Sequence, residues 1–329
     1  MSSKVVIIGS NSFSGSHFID HLLSKGIDCI GISRSREPHD VFLPYKNRDA
    51  DKFEFHQFDI NHNLNGIVDI IHDAKAKYVV NFASQGMVAE SWEKPEDWYQ
   101  TNVIAQVKLH DQLRRLDFLK KYVHVTTPEV YGSIDGWINE NSNFNPSTPY
   151  AVSRAACDMH LKSFFQSYNF PVVFTRAANV YGPGQQLFKI IPRSIIFIKN
   201  NEKIPLHGGG LAERSFIHIQ DVCEATLKIM EQSKSGEIYN LSTNTLHSIK
   251  DIVKLICGRM DVDFEKSVED VETRRGLDKA YILDSSKAEN EFGWKPKISL
   301  EEGIDETIKW INDSFVEISK EPLGYVHKE

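Results

Sequence analysis

The sequence predicts an α/β fold: a doubly wound parallel sheet with a smaller α/β substrate-binding lid over its strand ends. Three observations carry that expectation. Short apolar runs alternate with amphipathic helical stretches through the first half, the pattern of parallel strands joined by crossover helices. The first run and first helix are joined by Gly9-Ser10-Asn11-Ser12-Phe13-Ser14-Gly15, a strand-to-helix turn with glycine at both ends. After Ala177 the regularity gives way to loops such as Tyr181-Gly182-Pro183-Gly184 and Gly208-Gly209-Gly210, as expected of a region lying over strand ends where such sheets bind ligands.

Taken in order, residues 4–8 form the first strand and 13–25 the first helix, with Phe18, Ile19, Leu22 and Leu23 inward. Further strands are expected at 29–32, 53–58, 78–82, 122–127 and 172–175, each a short β-branched or aromatic run. Long amphipathic helices cover 102–116 and 150–168, and their outer apolar residues suit either intramolecular burial or a two-fold homodimer. Shorter helices follow at 249–259 and 300–312. The expected cofactor domain is 1–178, completed by about 211–243. The substrate region is 179–210 with 244–329. Trp92, Trp98 and Trp294 are expected in packing roles, and the charged tail after Ile318 on the surface.

Bulk properties narrow the function classes. The net charge of -7 disfavours nucleic-acid and anionic-membrane surfaces, while a local cationic pocket for a phosphorylated ligand stays open. The longest apolar runs, such as Val5-Val6-Ile7-Ile8, are too short to span a bilayer, and a cytoplasmic location is expected. Cys29, Cys157, Cys223 and Cys257 form no Cys-x-x-Cys pair, which suits reduced thiols. His17 and His21 have one-turn ligand spacing without a third ligand, so no metal is expected and a solvated helix face is the simpler reading.

The Gly9–Gly15 turn has the parts a dinucleotide pyrophosphate needs, backbone N–H groups at a helix N-terminus and no side chain where the chain bends. Ser12 replaces the usual middle glycine, and its hydroxyl is itself able to donate to a phosphate. Asn11 and Phe13 belong to the same loop. The second strand runs out as Ser33-Arg34-Ser35-Arg36, with two cations and no acid. Arg34 and Arg36 suit a 2′-phosphate that a carboxylate would repel, so NADP is the expected cofactor and NAD the alternative. Asp59, after the third strand, is placed to meet the adenine amino group.

The chemistry is concentrated in Thr126-Thr127-Pro128-Glu129-Val130-Tyr131-Gly132 and Tyr150-Ala151-Val152-Ser153-Arg154. Together these supply a hydroxyl, a carboxylate and a phenol with a cation one helical turn later. They are the parts needed to oxidise a sugar carbinol and then remove an adjacent proton. A phenol titrating near roughly 10 must be lowered to act as a base, and a cation at i+4 favours the phenolate.

These residues, with Asn81-Phe82-Ala83-Ser84-Gln85, Thr101-Asn102-Val103, Arg176-Ala177-Ala178-Asn179-Val180-Tyr181-Gly182-Pro183, Arg214-Ser215-Phe216-Ile217-His218, Arg274-Arg275-Gly276-Leu277-Asp278 and Gly293-Trp294-Lys295-Pro296, resemble nucleotide-sugar 4,6-dehydratases. That family belongs to the extended short-chain dehydrogenase/reductases, on a Rossmann fold. The resemblance runs over nearly the whole chain. It implies that Tyr150 as phenolate takes the 4-hydroxyl proton while hydride passes from carbon 4 to the nicotinamide. It implies further that Thr127 donates to the 4-oxygen and that Glu129 removes the carbon-5 hydrogen. Water then leaves from carbon 6 and the hydride returns there. Ile60, Ala83, Tyr150 and Arg154 would complete the cofactor site, and Gln85, Asn179, Lys189, Arg214 and Arg274 the nucleotide-sugar site.

Arg154 stands where the family has Lys, and Pro128 where many members have an acidic Asp. Either Glu129 or water must then protonate the leaving group. A 5,6-dehydratase or 4-epimerase is the alternative outcome, and a catalytically silent NAD(P)-binding sensor is the rival from another class. Leu277 stands where His is frequent in the family, so base recognition is expected to differ from that of the deoxythymidine-diphosphate enzymes.

Overall fold

The computed structural model describes residues 4–133, 136–272 and 282–327. Its centre is a seven-stranded, wholly parallel sheet. The strands are β1 (Val5–Ile8), β2 (Cys29–Ser33), β3 (Phe53–Gln57), β4 (Tyr78–Asn81), β5 (Lys121–Val125), β6 (Val172–Ala177) and β7 (Ile238–Leu241). They lie in the order β7-β6-β5-β4-β1-β2-β3. The winding direction reverses between β1 and β4, which pair in register from Val5 with Tyr78 to Ile8 with Asn81. A crevice opens at such a reversal, beyond the carboxyl ends of the strands.

Both sheet faces are covered, which is why β1 is apolar at every position. Val5 and Ile7 join Phe18, Ile19 and Leu22 of helix Phe13–Ser24 on one side. Val6 and Ile8 join Ile67, Leu109 and Leu161 on the other. The sequence reading assigned 211–243 to this domain without a strand there. Ile238–Leu241 forms β7, reached through helix Ile219–Gln232, which packs across helix Phe13–Ser24. A separate core of Tyr181, Leu187, Ile191, Ile195, Ile252, Ile304, Ile311 and Ile318 holds the second region together.

The expected helix 102–116 starts earlier and is interrupted. Helix Pro95–Tyr99 runs through a π-helical stretch, Gln100–Ala105, into helix Gln106–Leu113. Inside the π stretch the buried Asn102 amide accepts from Gln85 N–H at 2.8 Å and donates to the Gln85 carbonyl at 3.0 Å. It also donates to Ser153 Oγ at 3.0 Å. One side chain thereby ties the loop after β4 to helix Pro149–Tyr168. Such π turns recur at functional sites.

Two sequence expectations are overturned. Trp98 and Trp294 are buried, but Trp92 is 61% exposed and packs little. His17 and His21 are half-buried, not on a solvated face. His17 Nε2 lies 2.7 Å from the Pro183 carbonyl and Phe13 meets its ring edge-on, so loop 181–184 closes over that helix. The tail after Ile318 lies on the surface as expected, with Leu323, Tyr325 and His327 half-buried against the molecule.

The His17 correction carries a stability prediction. Burial pushes the imidazoles of His17 and His218 from 6.5 down to about 4, against weaker opposition at His17 from its hydrogen bond to the Pro183 carbonyl and from Asp20, and with added repulsion by His17 at His218. Glu306 faces His218 at 3.5 Å. The unfolded chain therefore binds protons between about pH 6.5 and 4 that the native state refuses. Stability is complete above 6.5 and is lost as pH falls through that window. Each imidazole contributes about 2 kcal/mol between pH 7 and 5. Urea midpoints measured at both pH values should show the loss, and His218→Asn should shrink it.

Candidate active site

Helix Phe13–Ser24 points its N-terminus into the β1–β4 crevice. Gly9 there has φ +84°, and a Cβ would lie 2.7 Å from the Ala83 amide nitrogen. A Cβ on Gly15 would run into the Gly9 carbonyl oxygen. The loop can therefore approach both β4 and a ligand only without side chains at these positions. Ser12 departs from expectation. Its hydroxyl donates to the Gly9 carbonyl at 2.7 Å and accepts from Gly15 N–H at 3.0 Å. Its oxygen caps the helix and its proton goes to the Gly9 carbonyl, so the phosphate donation anticipated from the sequence would require that proton to turn.

Asn11 acts on the neighbouring loop. Its amide donates to the carbonyls of Ser35 and Arg36 at 2.9 and 3.0 Å, and its backbone N–H to Ser33 Oγ at 3.3 Å. This holds Arg34 and Arg36 at one end of a cleft of about 570 Å³, within the roughly 300–1,000 Å³ usual for ligand sites. Gly9, Asn11, Ser12, Phe13, Ser33, Asp59, Ile60, Ala83, Gln85 and Lys189 share its lining. Asp59 Oδ1 accepts from Asn61 N–H at 2.7 Å. Glu37, the first acid after β2, is engaged by Tyr45 and Lys46.

Just past β5 the chain turns through a 3-10 turn, Pro128–Tyr131, whose N-cap is Thr127. Pro128 sits at N1, where no N–H is needed and its fixed φ suits the turn. Thr127 Oγ1 accepts from Glu129 N–H at 3.2 Å, which leaves its own proton for the Tyr150 phenol, the hydrogen-bond partner of this side chain. Helix Pro149–Tyr168 starts beside it, capped by Thr148 through Ala151 N–H at 3.1 Å, and Ser91 Oγ accepts from Tyr150 N–H at 3.2 Å.

Arg154 lies one turn on, 2% exposed, with Nη2 donating to the Val125 carbonyl. Its Nε and Nη1 are buried without a partner. Arg154 does not itself line the cleft, whereas the bare Gly9 turn at the helix N-terminus is a feature a dinucleotide pyrophosphate would satisfy.

The electrostatics correct one expectation. Arg154 and Thr127 do pull the Tyr150 phenol down, but burial outweighs them, and Glu129 and Asp158 push the same way as burial. The net shift is upward. Lys189 is exposed at the cleft wall, and desolvation by its surroundings lowers its ammonium while Glu90 and Glu129 partly restore it. Glu129 is thus within electrostatic reach of Lys189, while Thr127, Glu129, Tyr150 and Arg154 are not themselves among the residues lining the cleft.

The GDP-mannose 4,6 dehydratase family model matches residues 6–307. The dTDP-D-glucose 4,6-dehydratase of Mus musculus is 33% identical over 324 residues, covering 95% of this chain and 89% of that protein. The dTDP-glucose 4,6-dehydratase of Bacillus anthracis, solved in complex with NAD, superposes with TM-score 0.85 at 29% identity over 94% of this chain and 96% of that one. The Streptomyces venezuelae dTDP-glucose 4,6-dehydratase, solved with NAD bound, gives 0.88 at 26% identity, covering 95% and 98%. The chain belongs to the nucleotide-sugar 4,6-dehydratase family. It is a hydro-lyase of the extended short-chain dehydrogenase/reductase type.

Behind the tyrosine the dehydratase carries a buried polar cluster that the sequence reading missed. Asp158, at i+4 from Arg154, pairs with Arg176 at 2.7 Å, both fully buried. The Arg176 guanidinium also lies 4.6 Å from the Tyr131 ring centre and 4.9 Å from that of Phe144. The stripe Tyr150, Arg154, Asp158 was available as an i, i+4, i+8 repeat, but its partner Arg176 lies on another strand. His110, His124 and Cys157 bring their ligand atoms within 4.8 Å of one another. Burial drives both imidazoles well down, with the Arg154 and Arg176 charges adding at His124, and raises the Cys157 thiol to about 12. Burial and the Arg154 and Arg176 charges thus disfavour protonated imidazoles in this cluster, which also has the Asp158 carboxylate 3.5 Å from His124 Nε2.

Of the sugar-side residues, Gln85 and Lys189 line the cleft. Asn179 and Arg214 do not. Asn179 Nδ2 donates to the Ser215 carbonyl at 3.1 Å, and Arg214 Nη1 to the Glu213 carbonyl at 2.7 Å. Arg274 and Leu277 lie outside the described residues. The four cysteines are buried and free. Among the described residues no helix is long and apolar enough to cross a membrane.

Proposed function

We propose that this dehydratase uses NADP and converts a nucleoside-diphosphate hexose to its 4-keto-6-deoxy product, with Thr127, Glu129, Tyr150 and Arg154 as the working set. The observation that carries the reading is the Tyr150 phenol on Thr127, within the field of Glu129 and backed by Arg154. A nicotinamide held in the cleft would supply the hydride acceptor for carbon 4 and the hydride donor for carbon 6. Thr127 and Tyr150 bond the 4-oxygen, and the phenol, ionised against Arg154, takes its proton. The ketone so formed acidifies the carbon-5 hydrogen, which Glu129 accepts. Pro128 has no proton to give, so Glu129 hands its new proton to the departing 6-hydroxyl and water leaves. Once recharged from solvent, Glu129 protonates carbon 5 as hydride arrives at carbon 6.

NADP is favoured by Arg34 and Arg36 at the adenosine end and by the engagement of Glu37 elsewhere; NAD in the related structures supports a nicotinamide dinucleotide of either kind. The expected domain division makes 1–178 with 211–243 the cofactor half and 179–210 with 244–329 the nucleotide-sugar half. In that division Gln85 belongs to the substrate site, and Asn179, Lys189, Arg214 and Arg274 serve the diphosphate and nucleoside. A cytoplasmic homodimer fits the exposed Tyr99, Ile104, Val152 and Met159 on two adjoining helical segments, and sedimentation tests the dimer.

The decisive experiment incubates the protein with a panel of nucleotide sugars in deuterated water. Loss of one water with one solvent deuteron at carbon 5 is the expected product signature. Loss of water without that deuteron would mean the 5,6-alkene, and no change in any sugar would leave a silent cofactor-binding protein. The nucleotide that copurifies identifies NADP or NAD.

A further inference from the structure

The charged tail expected on the surface crosses the mouth of the cofactor cleft. It departs from the second region, where Ile318 is fully buried and Leu323 packs against the same isoleucine core. From there it passes to the sheet domain. The Tyr325 ring meets Phe188 edge-on at 5.7 Å, and Phe188 belongs to the 184–189 wall of the cleft. Two residues on, His327 Nε2 lies 2.7 Å from Asp97, and its ring stacks on Trp98 at 5.3 Å and 7°. Both partners sit on helix Pro95–Tyr99 of the sheet domain.

The Tyr325 hydroxyl and His327 Nδ1 are 3.2 Å apart. With Nε2–H donating to Asp97, Nδ1 accepts from Tyr325, so one imidazole ties the tail to the helix and orients the phenol. Glu321, Pro322, Gly324, Tyr325 and Val326 line the same cleft as Gly9, Ser12, Arg34 and Arg36. Burial raises the Tyr325 phenol, with Glu90 and Asp97 adding to that effect and Arg34 opposing it. Arg34 at the cleft and Glu90 are thus both within electrostatic reach of the phenol.

We propose that residues 321–327 form a strap that retains the nicotinamide dinucleotide, with Tyr325 covering it and His327 latching the strap to Asp97 and Trp98. The inference rests on the reading that this cofactor occupies the cleft, and not on the sugar or on the catalytic roles. The chemistry gives the strap a purpose. Hydride removed from carbon 4 must be returned to carbon 6 of the same sugar, so a dinucleotide that leaves in mid-cycle strands the intermediate. A covering segment that bridges both halves of the protein slows that departure without touching the reacting atoms. Tyr325 and His327 are in this sense positioning residues.

The test uses the full-length protein stripped of nucleotide and titrated separately with NADP and NAD, with no sugar present. In the Tyr325→Ala/His327→Ala double variant the dissociation constant and the dissociation rate are expected to rise tenfold or more. Tyr325→Phe, which keeps the ring on Phe188, should retain most of the affinity. In turnover, added cofactor should raise the rate of the double variant and not of the parent.

A folded double variant that binds both nucleotides within twofold of the parent overturns the proposal. So does a fall in the melting temperature of the cofactor-free protein that accounts for the loss, since the tail would then be only a structural prop. If the double variant does not fold, Tyr325→Ala alone is read by the same titration and the same two criteria. A parent protein that binds neither nucleotide removes the strap and the cofactor reading together. A wrong sugar assignment leaves this binding experiment intact.

Discussion

Tyr150→Phe is expected to lower kcat by about 10²–10⁴-fold, the range for losing a positioned acid–base group. Phenylalanine fills the same space at the start of helix Pro149–Tyr168 but has no oxygen for the Thr127 hydroxyl or for the sugar's 4-hydroxyl. The loss should therefore fall on kcat, because the phenol acts as the carbinol oxidises. The pH profile adds a sharper check. Burial holds the phenol above its usual range, and Arg154 and Thr127 pull against it. Arg154→Met removes the larger of those two opposing influences, so the limb of kcat/KM that rises with pH should move to higher pH. Arg154→Lys keeps the charge and should move it less. A Tyr150→Phe enzyme within tenfold of the parent would remove the phenol from the mechanism.

Glu129→Gln should block elimination to a similar degree, about 10²–10⁴-fold, but at a different step. The amide preserves size and the 3-10 turn capped by Thr127, so oxidation at carbon 4 can still occur. Without a carboxylate to take the carbon-5 hydrogen, the 4-keto sugar should stall before water is lost. The near-ultraviolet absorbance of reduced nicotinamide should then persist in a single turnover. Solvent deuterium should fail to enter carbon 5. Because Pro128 offers no alternative acid, this one substitution is expected to disable both proton removal and hydroxide departure. Normal deuterium entry in Glu129→Gln would assign the proton transfer to another group.

Much of the fold and the chemistry was legible in the sequence because it is written in short-range pattern. Alternating apolar runs gave the first six sheet strands to within a few residues. The Gly9–Gly15 spacing located the tight strand-to-helix turn, since only residues without a Cβ fit against Ala83 and the Gly9 carbonyl. Tyr150 and Arg154 could be paired because four residues are one helical turn. The interruption at Gln100–Ala105 was not legible. It depends on an Asn102 amide that finds its partners on Gln85 and Ser153, far away in sequence.

By itself the sequence determined which reactive groups the protein possesses and which neighbours share a turn or a helix face. Only the tertiary structure decided what those groups experience. The Ser12 hydroxyl caps its own helix, the Tyr150 phenol is raised on balance although a cation lies beside it, and His17 is sealed under Pro183. The Asp158–Arg176 pair behind the active site, and the tail that closes over the cleft, join segments far apart in the chain. The physical reason is common to all of them. Desolvation and the choice of a hydrogen-bond partner depend on everything packed around a group, and most of that surrounding material comes from elsewhere in the chain.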